Sequence, residues 1–508
     1  MPKTSATLEM GQGISRVAAL DIGSNSFHLV VARIVANDVQ ILHQLKLRVQ
    51  LADGLSEDGV LSEEAIARGL ENLEHIVESL KDLKPDQVRV VATYTLRKAR
   101  NARDFIRAAR KILPYPIEII SGAEEARLIY LGVAHTSHHE GKRLVVDIGG
   151  GSTEIIIGEG MEPLRMRSLS IGCVVFTNLY FKGGRIRSKS FSKAITHARQ
   201  EIETRGQDLL RAEWTACLGS SGTIRAIMDI VGTQDAETTP RYLTLRALQS
   251  LVKKCVKAGD VEALEFSELS EERRRVLPAG LAILTAIFES LHIKSMEYSP
   301  AALREGVIYD MEERLSHHDI RARTVESLAA RYVVDMKHAR RVEATVLALY
   351  QQVKASWDIE REDLQRFLAW AALLHEVGLH INAKSMRRHS AYILQNAEMP
   401  GFNREEQDLL ATIVRFQRKR IQKSEANEFL DYAPAEVTRL IALLRLGILL
   451  NFQRQDKVLP AMRLEAEDDT LRLVFPDNWL DGRPIFRSNL EREHESVTAL
   501  GLSLIVAD

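Results

Sequence analysis

The chain has 508 residues, 45% hydrophobic and 27% charged, with a formal net charge of −1. That length calls for about three or four domains rather than one core, and the balanced charge gives no bulk pull toward nucleic acid or an anionic membrane. Three widely spaced cysteines, Cys173, Cys217 and Cys255, exclude a disulfide framework or a Cys-x-x-Cys zinc site and suit a reducing cytoplasm.

Residues 1–15 are polar, lack an apolar signal core and read as a flexible N-terminus. Residues 16–125 then alternate strands and helices. The first hairpin is Val17-Ala18-Ala19-Leu20-Asp21-Ile22-Gly23-Ser24-Asn25-Ser26, followed by the apolar run from Phe27 to Ile34. A helix starts after Ser62, a natural N-cap, with Glu63 and Glu64 in its positive first turn. Val88 to Ala92 reads as a buried strand, and Thr93-Tyr94-Thr95 leads into a helix carrying Arg97, Lys98 and Arg100. A strand at Ile117 to Ile120 ends at Ser121-Gly122-Ala123-Glu124-Glu125. Ser121 and Glu124 match a capping box, so Glu124 reads as a cap that Gln would serve equally well. Glu125 projects about 100° further around the helix; this stretch alone favours a solvated first-turn residue, with a base acting on water as the other reading.

Residues 126–315 repeat the style. The second hairpin is Leu144-Val145-Val146-Asp147-Ile148-Gly149-Gly150-Gly151-Ser152-Thr153-Glu154, with Asp147 following Asp21 by 126 residues. One such loop alone would be an ordinary glycine-rich turn. Two copies imply two similar lobes whose small-residue tips offer backbone N–H groups to one phosphate chain. The Asp at each strand end suits a divalent cation, although either Asp also fits a turn-capping role. The turn Gly219-Ser220-Ser221-Gly222-Thr223 follows a strand; it is the main argument for an ATP-dependent kinase and is read here as fold geometry. From 316 to 456 the chain reads as all helical, and 457–508 as a small α+β unit. The stretch from Leu440 to Phe452 is too short to span a bilayer.

Asp21-Ile22-Gly23-Ser24-Asn25-Ser26-Phe27-His28, Ser121 to Arg127 and Asp147 to Glu154 together resemble the exopolyphosphatase / guanosine pentaphosphate phosphohydrolase family of the actin–sugar kinase–Hsp70 superfamily. Leu51-Ala52-Asp53-Gly54-Leu55, Leu303-Arg304-Glu305-Gly306 and His389-Ser390-Ala391-Tyr392-Ile393-Leu394 extend the resemblance over nearly the whole chain. It implies a two-lobed α/β core of ribonuclease H type, an all-α HD-like domain and the small terminal domain. It also implies Glu125 as catalytic base, and Asp147 and Glu154 as Mg²⁺ ligands, with K⁺ a candidate activator. Phosphate contacts would come from Ser24, Asn25, Arg97, Gly149, Gly150, Gly151, Ser152, Cys173 and Arg273. Cys173 serves equally well as a small apolar residue, and Arg273 as part of a solvated face.

Leu373-Leu374-His375-Glu376-Val377-Gly378 resembles the core of HD-type phosphohydrolases, with Glu376 in place of the usual Asp. Arg445 to Asn451 offers no distant carboxylate, so the expectation is a degenerate domain with no second active site. His135, His138 and His139 form a loop cluster best read as exposed and polar. Three basic clusters lie in the helical region: Arg321, Arg323, Arg340 and Arg341; Arg387, Arg388 and His389; and Arg415, Arg418, Lys419, Arg420 and Lys423. The last two are expected to form a polyphosphate channel, as Lys/Arg tracks follow a nucleic-acid backbone.

Gly149-Gly150-Gly151 and Asp53 favour a processive exopolyphosphatase acting on inorganic polyphosphate. A guanosine pentaphosphate 5′-phosphohydrolase is the alternative, since that branch usually shows Gly-Gly-Ala and Ala at these positions. A non-catalytic phosphate or alarmone sensor and an ATP-dependent kinase are further alternatives. The expected setting is a cytoplasmic homodimer, with peripheral association at the inner membrane face, no transmembrane segment and no nucleic-acid partner.

Overall fold

The first hairpin forms as β1 (Ser15–Ile22) and β2 (Ser26–Val35), extended by antiparallel β3 (Asp38–Arg48). Strands β4 (Gln87–Ala92) and β5 (Ile117–Ile119) join β1 in parallel, giving the order β3-β2-β1-β4-β5. The second hairpin, β6 (Lys142–Ile148) and β7 (Thr153–Glu159), is extended by β8 (Glu162–Leu169), β9 (Ala216–Ser220) and β10 (Glu297–Tyr298). Its order, β8-β7-β6-β9-β10, repeats the first sheet strand for strand. Val17 to Leu20 and Leu144 to Val146 are fully buried. Both faces of each central strand are covered, which is why these segments read as unbroken apolar runs. The structure is a computed structural model and describes residues 15–35, 38–137, 139–232, 242–266, 269–315, 320–418, 428–456 and 458–507.

The helices of this unit, residues 1–318, are α1 (Glu63–Leu83), α2 (Tyr94–Lys98), α3 (Ala102–Ala109), α4 (Gly122–Thr136), α5 (Cys173–Tyr180), α6 (Ser188–Arg205), α7 (Gln207–Leu210), α8 (Ser221–Gly232), α9 (Leu245–Ala258), α10 (Glu271–Leu291) and α11 (Leu303–Leu315). The Ser62 hydroxyl caps α1 by accepting from the Ala65 N–H. Helix α2 ends at Lys98, so Arg100 lies in the turn beyond it rather than on the helix. Helix α4 runs through the expected lobe boundary at 125. It packs on the second sheet and against α11, which returns from the far end of the unit to lie on β1. Gly132 and Gly306 mark their crossing: a Cβ on Gly306 would sit 1.7 Å from the Leu128 carbonyl oxygen. Val17, Val91, Val145, Ile156, Val307 and Ile308 share the resulting core, so the two lobes are joined rather than merely linked.

Residues 319–508 form the second unit. It contains α12 (Ile320–Arg331), α13 (Met336–Val353), α14 (Glu362–Leu374), α15 (Met386–Asn396), α16 (Arg404–Arg415) and α17 (Pro434–Leu450). Strands β11 (Arg463–Glu467) and β12 (Thr470–Val474) form a hairpin, α18 (Pro484–Thr498) follows, and β13 (Ser503–Ala507) pairs parallel to β12. One core runs from Trp357, Phe367 and Leu444 into Leu464, Leu473 and Leu504, across the expected boundary at 456. Among the described residues, no helix is long and apolar enough to cross a membrane.

Candidate active site

A cavity of about 230 Å³ opens where the two hairpin tips face each other, large enough for a few phosphate groups. A Cβ on Gly150 would lie 3.1 Å from Ser24 Cβ, so one tip touches the other. Gly149 to Ser152 line one wall and Gly23 to Ser26 the other. The second tip is closed by a hydrogen bond from Gly149 N–H to Ser152 O and is tied to α5 by bonds from Cys173 and Val174 N–H to Gly149 and Gly150 O. Ser24 accepts a hydrogen bond from the Thr95 hydroxyl at 2.8 Å, and Asn25 O accepts from Val49 and Gln50 N–H.

Carboxylates stand at matched strand ends. Asp21 is the next-to-last residue of β1 and Asp147 of β6; Asp147 faces Glu154 across the hairpin and Ser220 on β9. Burial, then Glu125, pushes the Asp21 carboxyl up to about 7, and its Oδ1 is buried without a hydrogen-bond partner. Burial likewise raises Asp147 to about 6, against a hydrogen bond from the Ser220 hydroxyl. Glu154 is raised well above the usual range by burial and by repulsion from Glu125 and Asp147, while Ser168 donates to it at 2.8 Å. Glu125 is raised by burial, and Arg97 opposes the shift by donating to its Oε2 at 3.0 Å. Mutual repulsion of buried carboxylates, with one orphan oxygen, is the donor set a hard divalent cation satisfies.

Cationic groups face them. Arg304 donates to His28 Nδ1 at 2.8 Å, and burial, with Arg304 and Lys46 nearby, pulls His28 down to about 3. Lys46, Arg273 and Arg304 line the cleft, with Arg273 Nη1 donating to Gly222 O at 3.0 Å. Two ion pairs join the lobes at its edge, Arg48 with Glu272 and Asp53 with Arg275.

The expected residues divide as follows. Glu125, Asp147, Ser24, Asn25, Gly149, Gly150, Gly151, Ser152, Cys173 and Arg273 all line the cleft. Arg97 and Glu154 stand behind its wall: Arg97 holds Glu125 and the Ile120 carbonyl instead of reaching into the cavity, and Glu154 is 1% exposed against Ser168. The Cys173 thiol, pushed up to about 11 by burial, stays neutral. Glu124 is corrected. Ser121 caps α4, but the Glu124 side chain does not complete the capping box; it pairs with Arg127 at 2.8 and 2.9 Å at 0% exposure. Arg127 and Arg89 both pair with Asp310, and Arg89 with Glu118, so this network ties α4, and Glu125 with it, to β4, β5 and α11. The 219–223 turn supplies Ser220 to Asp147, and Ser221 adopts φ 81 where it enters the cleft.

His28, Lys46 and Arg304 were not expected as site residues, and Asp21, which its strand end offered to a divalent cation, stood outside the ligand set that the resemblance implied. Asp21 was visible as the twin of Asp147, and Arg304 within the Leu303-to-Gly306 motif; Lys46 and His28 carried no signal beyond residue type. In the loop cluster, His135 stacks on Tyr309, His139 pairs with Glu297, and His138 lies outside the described residues.

The basic clusters of the second unit are largely engaged. Arg321 pairs with Glu406 and lies over Trp370; Arg340 pairs with Glu326 and Glu343; Arg341 pairs with Asp456. Arg387 donates to Arg415 O at 3.2 Å, Arg388 is exposed and His389 half-buried. Burial lowers Arg418, which feels Glu376; Lys419, Arg420 and Lys423 lie outside the described residues.

Comparison with known proteins agrees with this geometry. The Ppx/GppA phosphatase family description matches residues 30–315, and that of Ppx/GppA phosphatase, domain III, matches 320–494. A Guanosine-5'-triphosphate,3'-diphosphate pyrophosphatase of Pseudoalteromonas translucida is 41% identical over 96% of this chain and 98% of its own. Its namesake from Pseudoalteromonas atlantica is 40% identical over 96% and 97%. The crystal structure of the Aquifex aeolicus Ppx/GppA family member matches with TM-score 0.52 and 27% identity, covering 60% of this chain and 99% of that one. An exopolyphosphatase structure from Cytophaga hutchinsonii matches with TM-score 0.54 and 25% identity, covering 58% and 97%. The two lobes with their paired hairpins, followed by a unit matching domain III, place this chain in the Ppx/GppA phosphatase family.

Proposed function

We propose that the chain hydrolyses the terminal phosphoanhydride of a guanosine 5′-triphosphate 3′-diphosphate, using water and Mg²⁺. The observation that carries this is near full-length identity of 41% to a relative bearing that name. The two residues that favoured exopolyphosphatase have other work. A Cβ on Gly151 would lie 2.0 Å from the Tyr94 ring, so glycine is a packing requirement there. Asp53 pairs with Arg275 and accepts from Gln50, which ties down the loop after β3. Neither position therefore reports directly on the substrate.

Asp21 and Asp147 would hold the cation, which when bound neutralises charge on the phosphate oxygens. The hairpin tips grip the terminal phosphates through backbone N–H groups. Glu125, fixed by Arg97 and by the buried network one residue away, takes the proton from the attacking water. Its raised pKa suits that step, because a stronger base is a better proton acceptor. Lys46, Arg273 and Arg304 balance the polyanion. Glu154 supports Asp147 from behind.

Exopolyphosphatase is the second reading, favoured by the likeness to the Cytophaga hutchinsonii structure. Orthophosphate release from guanosine pentaphosphate, long polyphosphate and ATP, measured side by side, separates the two. The proposal expects the highest kcat/KM on the pentaphosphate; a higher value on polyphosphate overturns it. We also propose a two-fold dimer, the commonest closed assembly; a monomeric mass in light scattering at micromolar concentration refutes that.

A further inference from the structure

Three side chains in the second unit take no part in the chemistry above. His338 lies in the first turn of α13, His375 at the end of α14, and Glu376 just beyond it. They are 1%, 0% and 4% exposed. One ligand atom from each lies within 4.8 Å of the other two, a grouping of His, Cys, Asp or Glu found nowhere else among the described residues. His338 Nδ1, His375 Nε2 and Glu376 Oε2 are all buried without a hydrogen-bond partner. Each such orphan costs about 1–3 kcal/mol, so three on neighbouring side chains need an explanation.

The remaining atoms are held as the outer contacts of metal ligands are held. His375 Nδ1 is 2.7 Å from Ala372 O, so Nδ1 carries the proton and Nε2 keeps its lone pair. Glu376 Oε1 accepts from Arg454, which leaves Oε2 uncommitted. Arg454 also reaches Asp335, whose carboxylate accepts the His338 backbone N–H at 3.1 Å. The His375 and Glu376 side chains are thus oriented from outside, His338 is anchored through its backbone N–H, and one atom of each side chain stays bare.

We propose that His338, His375 and Glu376 form a binding site for one divalent transition-metal ion of the Zn²⁺ class. Two imidazole nitrogens and one carboxylate oxygen suit Zn²⁺ and not Mg²⁺, which prefers all-oxygen ligands. Bonds of about 2.0–2.1 Å require ligand atoms roughly 3.3 Å apart, so a bound ion would draw the three side chains together. A fourth position is left for water or another ligand. The sequence showed only His375 and Glu376 as neighbours; α13 supplies the third ligand through the fold, and Asn451, where a carboxylate was sought, instead bonds to Thr345 and Gly447.

The test is calorimetric titration of the full-length chain with Zn²⁺ in excess Mg²⁺, for the parent and for H338Q, H375Q and E376Q, with far-UV circular dichroism to check folding. The parent should bind one Zn²⁺ tightly, and each substitution should weaken it by more than about 100-fold, since even outer-contact changes cost 10–100-fold. Co²⁺ should give a tetrahedral visible spectrum in the parent that is lost in the variants. Absence of tight Zn²⁺ binding by the parent, or parental affinity in the folded variants, overturns the proposal. If a histidine variant fails to fold, E376Q and the parent's Co²⁺ spectrum decide it.

Discussion

Replacing Asp21 by Asn should stabilise the metal-free protein at alkaline pH while abolishing hydrolysis. The unfolded carboxyl ionises near 3.8 and the folded one near 7, chiefly because it is buried and secondly because Glu125 is close. Asp21 therefore favours the fold below about pH 4, and that contribution is lost as pH rises through 7. At about 1.4 kcal/mol per pH unit, an ionised Asp21 costs the fold about 4 kcal/mol at pH 8. Asn carries no charge but buries an amide with an unmatched group, which returns about 1–3 kcal/mol of that. The net gain is about 2 kcal/mol, or roughly 4 °C in the Tm of a unit this size. The assay is thermal unfolding of parent and D21N in EDTA from pH 4 to pH 8, repeated with Mg²⁺. Near pH 4, where the parent's carboxyl is still neutral in the fold, D21N should lie below the parent by the cost of its amide; the curves should cross as pH rises, leaving D21N higher at pH 8. Mg²⁺ should raise the parent strongly and D21N little. Equal or lower stability of D21N at pH 8, with equal Mg²⁺ stabilisation of both, would refute the reasoning.

Glu125→Gln should lower turnover by about 10²-fold or more, read by orthophosphate release on protein shown to be folded by calorimetry. Glu124→Gln, expected from the capping box to be harmless, should cost about 3 kcal/mol in chemical denaturation because it strips a buried charge from Arg127; a cost under about 1 kcal/mol would remove that network from the scaffold. Gly306→Ala forces a methyl into the Leu128 carbonyl and should leave little soluble protein on expression. Alkylation at pH 7.5 should leave activity intact, because the Cys173 thiol stays protonated to about pH 11.

Local chemistry made the strands and turns legible. Buried central strands need continuous apolar residues, and a hairpin tip pressed against another chain segment needs glycine; both marks are written in 17–26 and 144–154 and appear twice. Asp147 and the glycine tip stood out because each sits at a recognisable break between elements, whereas Glu125 was singled out by the family resemblance. Side-chain partners across the fold could not. Whether Glu124 caps or pairs depends on Arg127 and on Asp310, which lies 186 residues further along the chain. Arg97 turns to Glu125 rather than the cavity because Ile120 O and Glu125 Oε2 hold it. Asp21 becomes a raised, orphaned carboxylate only when the second hairpin and α4 close over it. His338 has no local motif and meets His375 only through the packing of α13 on α14. Periodicity and turn chemistry are local quantities that a linear chain displays. Desolvation and charge pairing depend on what lies within a few ångströms in space, and only the assembled fold sets that.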